Sequence, residues 1–290
     1  MTRLAILTCE RMRGLLDYDR ANMLALRESG VDAEAVVWDD PAADFTKYDA
    51  LLFRTTWDYY QKYDKFTEFL DKIESMGIPT LNPLHIIRGN MHKYYLRKMA
   101  DEGVPLIPTE FIAAGSPADP DEIIARRGWE RFIIKPAVSA SSYKTAIYSA
   151  DEIESARAHL AGLTARRDAL VQRFMPEIRT DGELSTFFYS DGYTYSVRKR
   201  PKAGDFRVQV DHGGVYTRET PDPAILRTAR EIAERFLPEA LYIRVDGVIS
   251  GAEFRLMEVE MLEPDLYHNI VPEAKQPWRD NLLRKLEEIT

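Results

Sequence analysis

The amino-acid sequence predicts an α/β architecture that changes to α+β along the chain, with an open parallel sheet first and antiparallel sheets after it. β-rich runs and helical periodicity alternate through the first 85 residues, the signature of a parallel sheet with crossover helices. The pattern changes character at Asn82-Pro83, and the last third carries two long β runs, 241–249 and 254–261, joined by a turn at Gly251. A chain of 290 residues with 45% apolar content can bury more than one core, so two domains or three small ones are expected.

Residues 4–8 are a short aliphatic run, and 18–29 place Met23, Leu24, Ala25 and Leu26 at helical spacing before Gly30: strand, loop, helix, stop. Runs 31–38 and 50–57 read as strands separated by the turn-prone stretch 39–49. Phe66, Phe69, Leu70 and Ile73 mark a helix ended by Gly77, and 78–81 a short strand. A helix over 90–102 stops at Gly103. Strands follow at 107–113, 131–136 and 143–149, with helices near 121–127 and 151–163. Residues 169–174 open the last third, which runs through a hairpin at Asp191-Gly192 and a helix over 222–236, then closes with a helix after Pro277. The expected units are 1–89, 90–168 and 169–290. Residues 199–205, rich in charge, Pro and Gly, form the longest stretch without regular pattern and are expected to be mobile.

Thirty-nine Lys and Arg against 47 Asp and Glu give a formal net charge of −8, which excludes a general nucleic-acid binder but not a local basic groove. The single cysteine, Cys9, allows no intrachain disulfide and no cysteine-rich zinc site, so a reducing cytoplasm is the expected compartment. Neither a signal peptide nor a membrane span is expected. An exposed N-terminal helix pair leaves a homodimer open. His85, His92, His159, His212 and His268 lack metal-ligand spacing. His212-Gly213-Gly214 reads as a turn beside Arg207, and His268, near Asp265, as a candidate wall of an acceptor pocket; each is more often structural. Tyr193 and Tyr195 read as packing residues.

The final hairpin is the most informative feature. Arg244, Asp246, Glu258 and Glu260 alternate with Ile243, Val245, Met257 and Val259, so charged and apolar sets occupy opposite faces. The Gly251 turn brings Asp246 opposite Glu258, and three carboxylates converge where they repel unless cations are bound. An oxygen-only cluster suits magnesium carrying substrate phosphates. The alternative is a solvated strand face whose acids pair with Arg244 and Arg255. Lys135 ends an apolar strand before Pro136, Lys93 begins a helix where a cation needs an anion nearby, and Lys199 and Arg207 flank the irregular stretch; all could face a polyphosphate, or simply lie at the surface. The loop from Ser139 through Ser141 and Ser142 to Thr145 could cover phosphates with amides and hydroxyls, but contains no glycine and reads equally as a polar hairpin loop. Arg54, Thr55, Thr56, Trp57, Asp58 and Tyr59 stand at the carboxyl end of the third strand, where open α/β sheets bind ligands; Arg54 could hold a carboxylate, and Trp57 is a substrate wall or an interdomain packing residue.

The order Lys93, Lys135, the strand Val171-Gln172-Arg173-Phe174, then Asp246, Glu258 and Glu260 resembles the ATP-grasp superfamily, and within it the bacterial glutathione synthetase type, over nearly the whole chain. The resemblance implies the ATP-grasp fold: an N-terminal open parallel α/β domain, a central lid and a C-terminal antiparallel-sheet domain, with ATP between the last two. It implies that Lys93, Lys135, Ser139, Ser141 and Ser142 contact ATP, that Gln172, Arg173, Phe174 and Met175 form the hinge at adenine, and that Glu183 binds ribose. Lys199 and Arg207 then stand beside the transferred phosphate as catalytic cations, and Asp246, Glu258 and Glu260 bind Mg2+, with Mn2+ as an alternative. The third ligand is usually Asn, so Glu260 is a departure that adds a negative charge, and the glycine-poor loop is a second. Arg54, Thr55, Trp57 and Asp58 are the implied substrate-binding set. The segments 54–59, 136–140 and 258–264 resemble a group that includes the cyclo-ligase of D-cycloserine biosynthesis. The implied reaction is ATP-dependent joining of a small-molecule carboxylate and an amine through an acylphosphate, releasing ADP and phosphate. An inactive ATP-binding regulatory protein and an ATP-grasp kinase are the alternatives.

Overall fold

The structure, a computed structural model, describes residues 1–208 and 213–289. It contains three sheets. The first is formed by β1 (Arg3–Thr8), β2 (Asp32–Val37), β3 (Ala50–Thr55) and β4 (Thr80–Leu81) in the order β2-β1-β3-β4, all parallel. Helices α1 (Asp17–Glu28) and α2 (Tyr63–Met76) flank it, α2 burying Phe66, Phe69, Leu70 and Ile73. The helix ends at Gly77, whose φ of 66° is the left-handed stop that glycine takes without strain.

The helix expected over 90–102 is shorter, α4 (Tyr95–Asp101); a separate helix, α3 (Leu84–Asn90), precedes it, and the break between them holds Lys93. The main chain of Lys93 donates to Ala137 O at 2.9 Å, which pins that break to the second sheet.

The second sheet consists of β5 (Thr109–Ile112), β6 (Arg131–Pro136), β7 (Ala146–Ser149) and β8 (Ala169–Arg173), in the antiparallel order β5-β8-β6-β7. Residues 169–173, grouped by sequence with the last unit, therefore pair inside the central one. Strand β7 begins at Ala146, three residues later than expected, because Ser141, Ser142 and Lys144 turn with positive φ. Helices α5 (Pro120–Arg127) and α6 (Ile153–Thr164) cover one face of this sheet, where Phe132, Ile134 and Val171 are buried. Period two turns Ile133, Lys135 and Gln172 to the other face, which is the cleft.

A short helix, α7 (Glu177–Thr180), leads into the third sheet: β9 (Glu183–Tyr189), β10 (Gly192–Arg200), β11 (Val215–Glu219), β12 (Tyr242–Ser250) and β13 (Glu253–Glu260), in the order β11-β10-β9-β12-β13. Lys199, expected in the irregular stretch, is the penultimate residue of β10 and lies opposite Glu183. At Gly182, φ is 83° and a Cβ would stand 2.3 Å from Lys199 O, so only glycine lets the chain enter β9 here. Helices α8 (Pro223–Ala233) and α9 (Lys275–Ile289) pack on opposite faces. Helices α3 and α7 and strand β11 are not among the expected elements, and His212 lies outside the described residues. Among the described residues no helix is long and apolar enough to cross a membrane.

One core runs from Leu4, Ile6 and Leu52 of the first sheet to Phe187, Tyr242 and Trp278, joining the N-terminal unit to the third sheet and α9. Asn82, wholly buried, stitches this seam. Its Nδ2 donates to Tyr242 O at 2.9 Å and Met261 O at 2.7 Å, while its Oδ1 accepts from Leu241 N at 2.5 Å. Asn82→Ala strands buried backbone groups on two strand ends, each costing about 1–3 kcal/mol. Urea denaturation should show a loss of at least about 3 kcal/mol; a loss below about 1 kcal/mol would mean that the seam does not depend on this side chain.

Candidate functional site

A cleft of about 560 Å³ opens between the second and third sheets and reaches the carboxyl end of the first. The third sheet supplies its floor. Arg244 and Asp246 of β12 pair across the hairpin with Glu260 and Glu258 of β13, as the Gly251 turn predicts. One oxygen from each of Asp246, Glu258 and Glu260 lies within 4.8 Å of the others. The ladder shifts register between Asp246 and Gly247, where a Cβ would lie 2.4 Å from Phe254 Cζ and 2.5 Å from Arg255 O. This bulge breaks the expected alternation: Phe254, Leu256, Val259 and Met261 enter the core beneath, while Met257 lines the cleft beside Glu258.

The face is not solvated. Asp246 is wholly buried and accepts from Ser185 Oγ at 2.5 Å, from Arg244 Nε at 3.0 and 3.1 Å, and pairs with Lys199 at 3.6 Å. Arg244 also holds Glu260, so the extra charge of that residue has a built-in counter-charge. Arg244, which the sequence assigned only to the alternative, stands inside the carboxylate cluster and lines the cleft; its signal was that it shares the alternating face with Asp246. Arg255, the other cation of that alternative, pairs with Glu253 instead.

Lys93 reaches Glu258 at 3.2 Å and donates to Ser139 O at 2.9 Å. Lys135 donates to Gln172 Oε1 at 3.1 Å, and Gln172 Nε2 is anchored on Thr109 at 2.8 Å. Burial pushes the Lys135 ammonium down to about 8, against the pull of Glu258. Lys199 is also buried, but Asp246 and Glu183 outweigh that and raise it, so it stays charged in contact with Glu183. Burial works against the Glu258 charge too, yet Lys93, Lys135 and Arg244 bring its carboxyl down to about 2. Arg207, paired with Asp205 at 2.8 Å, lines the cleft rim.

Ser139, Ser141, Ser142, Gln172, Arg173 and Glu183 all line the cleft with these cations. Phe174 and Met175 do not: Phe174 is buried with Arg179 5.1 Å over its ring, and Met175 packs with Ile107 and Ile178. Of the substrate set at the end of the third strand, Trp57 alone lines the cleft. Thr55 is buried against Thr8 Oγ1 at 2.6 Å, and Asp58 accepts from Trp38 Nε1 at 2.8 Å and Lys62 Nζ at 2.6 Å. Arg54 is 1% exposed and holds Asp19 at 3.0 Å. The carboxylate that Arg54 holds, through Nε at 3.0 Å and Nη2 at 3.3 Å, is therefore internal, and not that of a substrate as expected. His268 is likewise wholly buried between Asn22 and Tyr189, and burial brings it down to about 3.

The role of Arg54 appears one strand further on. Five consecutive carbonyls each accept from a different side chain: Leu262 from Tyr242 Oη at 3.1 Å, Glu263 from Trp57 Nε1, Pro264 from Arg54 Nη1 and Asp265 from Arg244 Nη1, each at 3.0 Å, and Leu266 from Tyr195 Oη at 2.6 Å. The segment after β13 is thereby fixed along the cleft wall. None of these partners is near in sequence, which is why pattern reading did not find them.

A cation-lined cleft over three clustered carboxylates, between two antiparallel sheets and behind a parallel one, defines an ATP-grasp fold. Within it the chain is similar to the DcsG group: residues 4–82 match the family model for the N-terminal domain of D-cycloserine synthetase DcsG. The cycloserine biosynthesis protein DcsG of Streptomyces lavendulae is 29% identical over 189 residues, which span 63% of this chain and 63% of that protein, under two thirds of either. The crystal structure of D-cycloserine synthetase DcsG superposes with a TM-score of 0.86 at 24% identity, covering 98% of this chain and 99% of that one. A D-alanine–D-alanine ligase from Bacillus anthracis, complexed with ATP, gives 0.70 at 14% identity, covering 100% and 98%.

Replacing Arg54 with Ala leaves Asp19 buried without its partner and frees the Pro264 carbonyl. A loss of about 3–5 kcal/mol is expected in chemical denaturation. A fully stable variant with only a raised KM would return Arg54 to the substrate site.

Proposed function

We propose that the chain is an ATP-dependent carboxylate–amine ligase acting on small-molecule substrates. The observation that carries this is the convergence of Lys93, Lys135, Lys199 and Arg244 around Asp246, Glu258 and Glu260 in one cleft. The fold shared with the ATP-bound D-alanine–D-alanine ligase supports it.

The donor set fits Mg2+, or Mn2+ in its place, since all three ligands are hard carboxylate oxygens. Magnesium bound by Asp246, Glu258 and Glu260 would supply positive charge to the phosphate oxygens. The chain's own groups do the rest. Lys93 and Lys135 hold the phosphates, and the loop of Ser139, Ser141 and Ser142 covers them. Gln172 and Arg173 face the adenine, and Glu183 the ribose. Lys199, Arg207 and Arg244 neutralise charge as it develops on the γ-phosphoryl group. A substrate carboxylate oxygen attacks γ-phosphorus, ADP leaves, and the amine then displaces phosphate from the acyl carbon. No side-chain nucleophile is required.

The glycine-poor loop does not argue for an inactive protein. Ser141 and Ser142 take φ of 50° and 57°, the left-handed geometry for which glycine is the usual choice. Tyr143 of the same loop packs on Tyr60 with ring centroids 4.9 Å apart, which ties the loop to the N-terminal unit. A kinase would leave a phosphorylated product, whereas a ligase leaves free phosphate.

With ATP, Mg2+ and pooled carboxylates, hydroxylamine should trap the activated acid as a hydroxamate identifiable by mass. ADP release without hydroxamate from any acid, together with a phosphorylated product, would establish the kinase instead. Glu258→Gln should retain its fold and lose turnover by at least about 100-fold, since it removes a ligand while relieving carboxylate repulsion; unchanged turnover would sink the metal assignment.

Lys135 yields a pH prediction. Its folded pKa, about 8, lies below the ordinary lysine value, so it is protonated at pH 7 and loses its charge as pH rises through 8. ATP, already fully ionised there, loses a cation. The Kd for ATP should therefore rise by up to about tenfold per pH unit above 8 in the wild type and stay flat in Lys135→Met. Parallel profiles would remove Lys135 from the phosphate site.

A further inference from the structure

The cleft is electrostatically two-ended. Its nucleotide half is lined by the cations already described; the other half carries Glu263 and Asp265, among Trp57, Tyr59, Tyr18 and Tyr267. We propose that Glu263 is the ammonium-recognising residue of the substrate site and selects substrates bearing a protonated amine. This deepens the ligase reading and rests on it for the identity of the acidic end as the substrate half.

Geometry is the first support. Glu263 is 7% exposed and lines the cleft, and among the described residues its carboxylate meets no side-chain donor and no ion-pair partner, accepting only from its own backbone N–H. Every other acid around the floor is partnered: Asp246 and Glu260 by Arg244, Glu258 by Lys93, Glu183 by Lys199. A buried carboxylate without a partner is unfavourable unless something arrives to meet it. Ionised, it only accepts hydrogen bonds, so its complement is a donor, and a charged one is favoured in a site of this depth.

Preorganisation is the second. The carbonyls of residues 262–266 are held by Tyr242, Trp57, Arg54, Arg244 and Tyr195. That clamp fixes the backbone that carries Glu263, and with it the region of the cleft that the carboxylate can reach. The aromatic faces of Trp57, Tyr59 and Tyr267 in the same wall suit a cation and contribute apolar surface for its carbon atoms.

The charged and titratable groups that bear on Glu263 are Lys93 and Arg244, which favour its charge, and Glu258, Glu260, Tyr59 and Tyr242, which do not. Burial outweighs the two cations and lifts its carboxyl to about 7, the strain expected of an unpaired acid in that place. An ammonium group docking on it relieves this.

Calorimetric titration tests the assignment without turnover. Wild type, Glu263→Gln and Glu263→Asp, each loaded with ADP and Mg2+, are titrated with D- and L-alanine, D- and L-serine and β-alanine, and with the N-acetyl derivative and hydroxy acid matching each. At least one amino compound should bind wild type at least about tenfold more tightly than its N-acetyl form; Glu263→Gln should abolish that preference and Glu263→Asp restore part of it, with ADP affinity unchanged within about twofold. Persistence of the preference in Glu263→Gln, or its absence from the wild type across the whole panel, overturns the proposal. Amine preference that depends on Glu263 in a protein that traps no hydroxamate would overturn the ligase reading and leave this one standing.

Discussion

One guanidinium organises the cleft. Arg244 binds Asp246 and Glu260 on one side and the carbonyl of Asp265 on the other, and is buried between them. Two like charges about 4 Å apart repel by about 4 kcal/mol at an effective dielectric of about 20, so the three carboxylates cannot share this floor without cations. Arg244, Lys199 and Lys93 supply three from the chain itself. The same guanidinium then ties the floor to the wall that follows it, which makes the position of the acidic half of the cleft a consequence of the charge balance in the cation-lined half.

The three sheets divide the work by geometry. Period two in β6 and β8 turns Lys135 and Gln172 into the cleft while Phe132 and Val171 anchor the sheet on α5 and α6. Period two in β9, β10 and β12 does the same for Glu183, Lys199 and Arg244, and the bulge at Gly247 adds Met257 to the lining. The parallel sheet contributes little polar surface to the cleft. Its part is to seat Arg54 and Trp57, whose donors meet the carbonyls of Pro264 and Glu263.

Local pattern made much of this legible. Hydrophobic runs located the strands, Gly77 the end of α2 and Gly251 the turn of the last hairpin, and the hairpin alternation placed Asp246 opposite Glu258. What failed was non-local. The assignment of 169–173 to the last unit followed chain order, while pairing with β5 and β6 is decided by which edges are free. Arg54 read as a ligand-binding cation because a strand end is where ligands bind, but Asp19, thirty-five residues away, had already claimed it. Lys199 read as part of a mobile stretch because Pro201 and Gly204 follow it; the ladder to β9 and β11 carries the strand through Arg200. Glu263 was not singled out at all, since a lone acid before a proline has no pattern, and only its buried, unpartnered place in the cleft marks it.

The central claim is that the clustered carboxylates and the surrounding cations form one site for a metal-bound nucleotide. Calorimetric titration of the wild-type protein with ATP, in Mg2+ and again in EDTA, tests it most directly. The account predicts that Mg2+ tightens ATP binding by at least about tenfold, because the three carboxylates oppose phosphate without it. Equal affinity in EDTA would contradict it, and the cluster would then be a structural charge network alone.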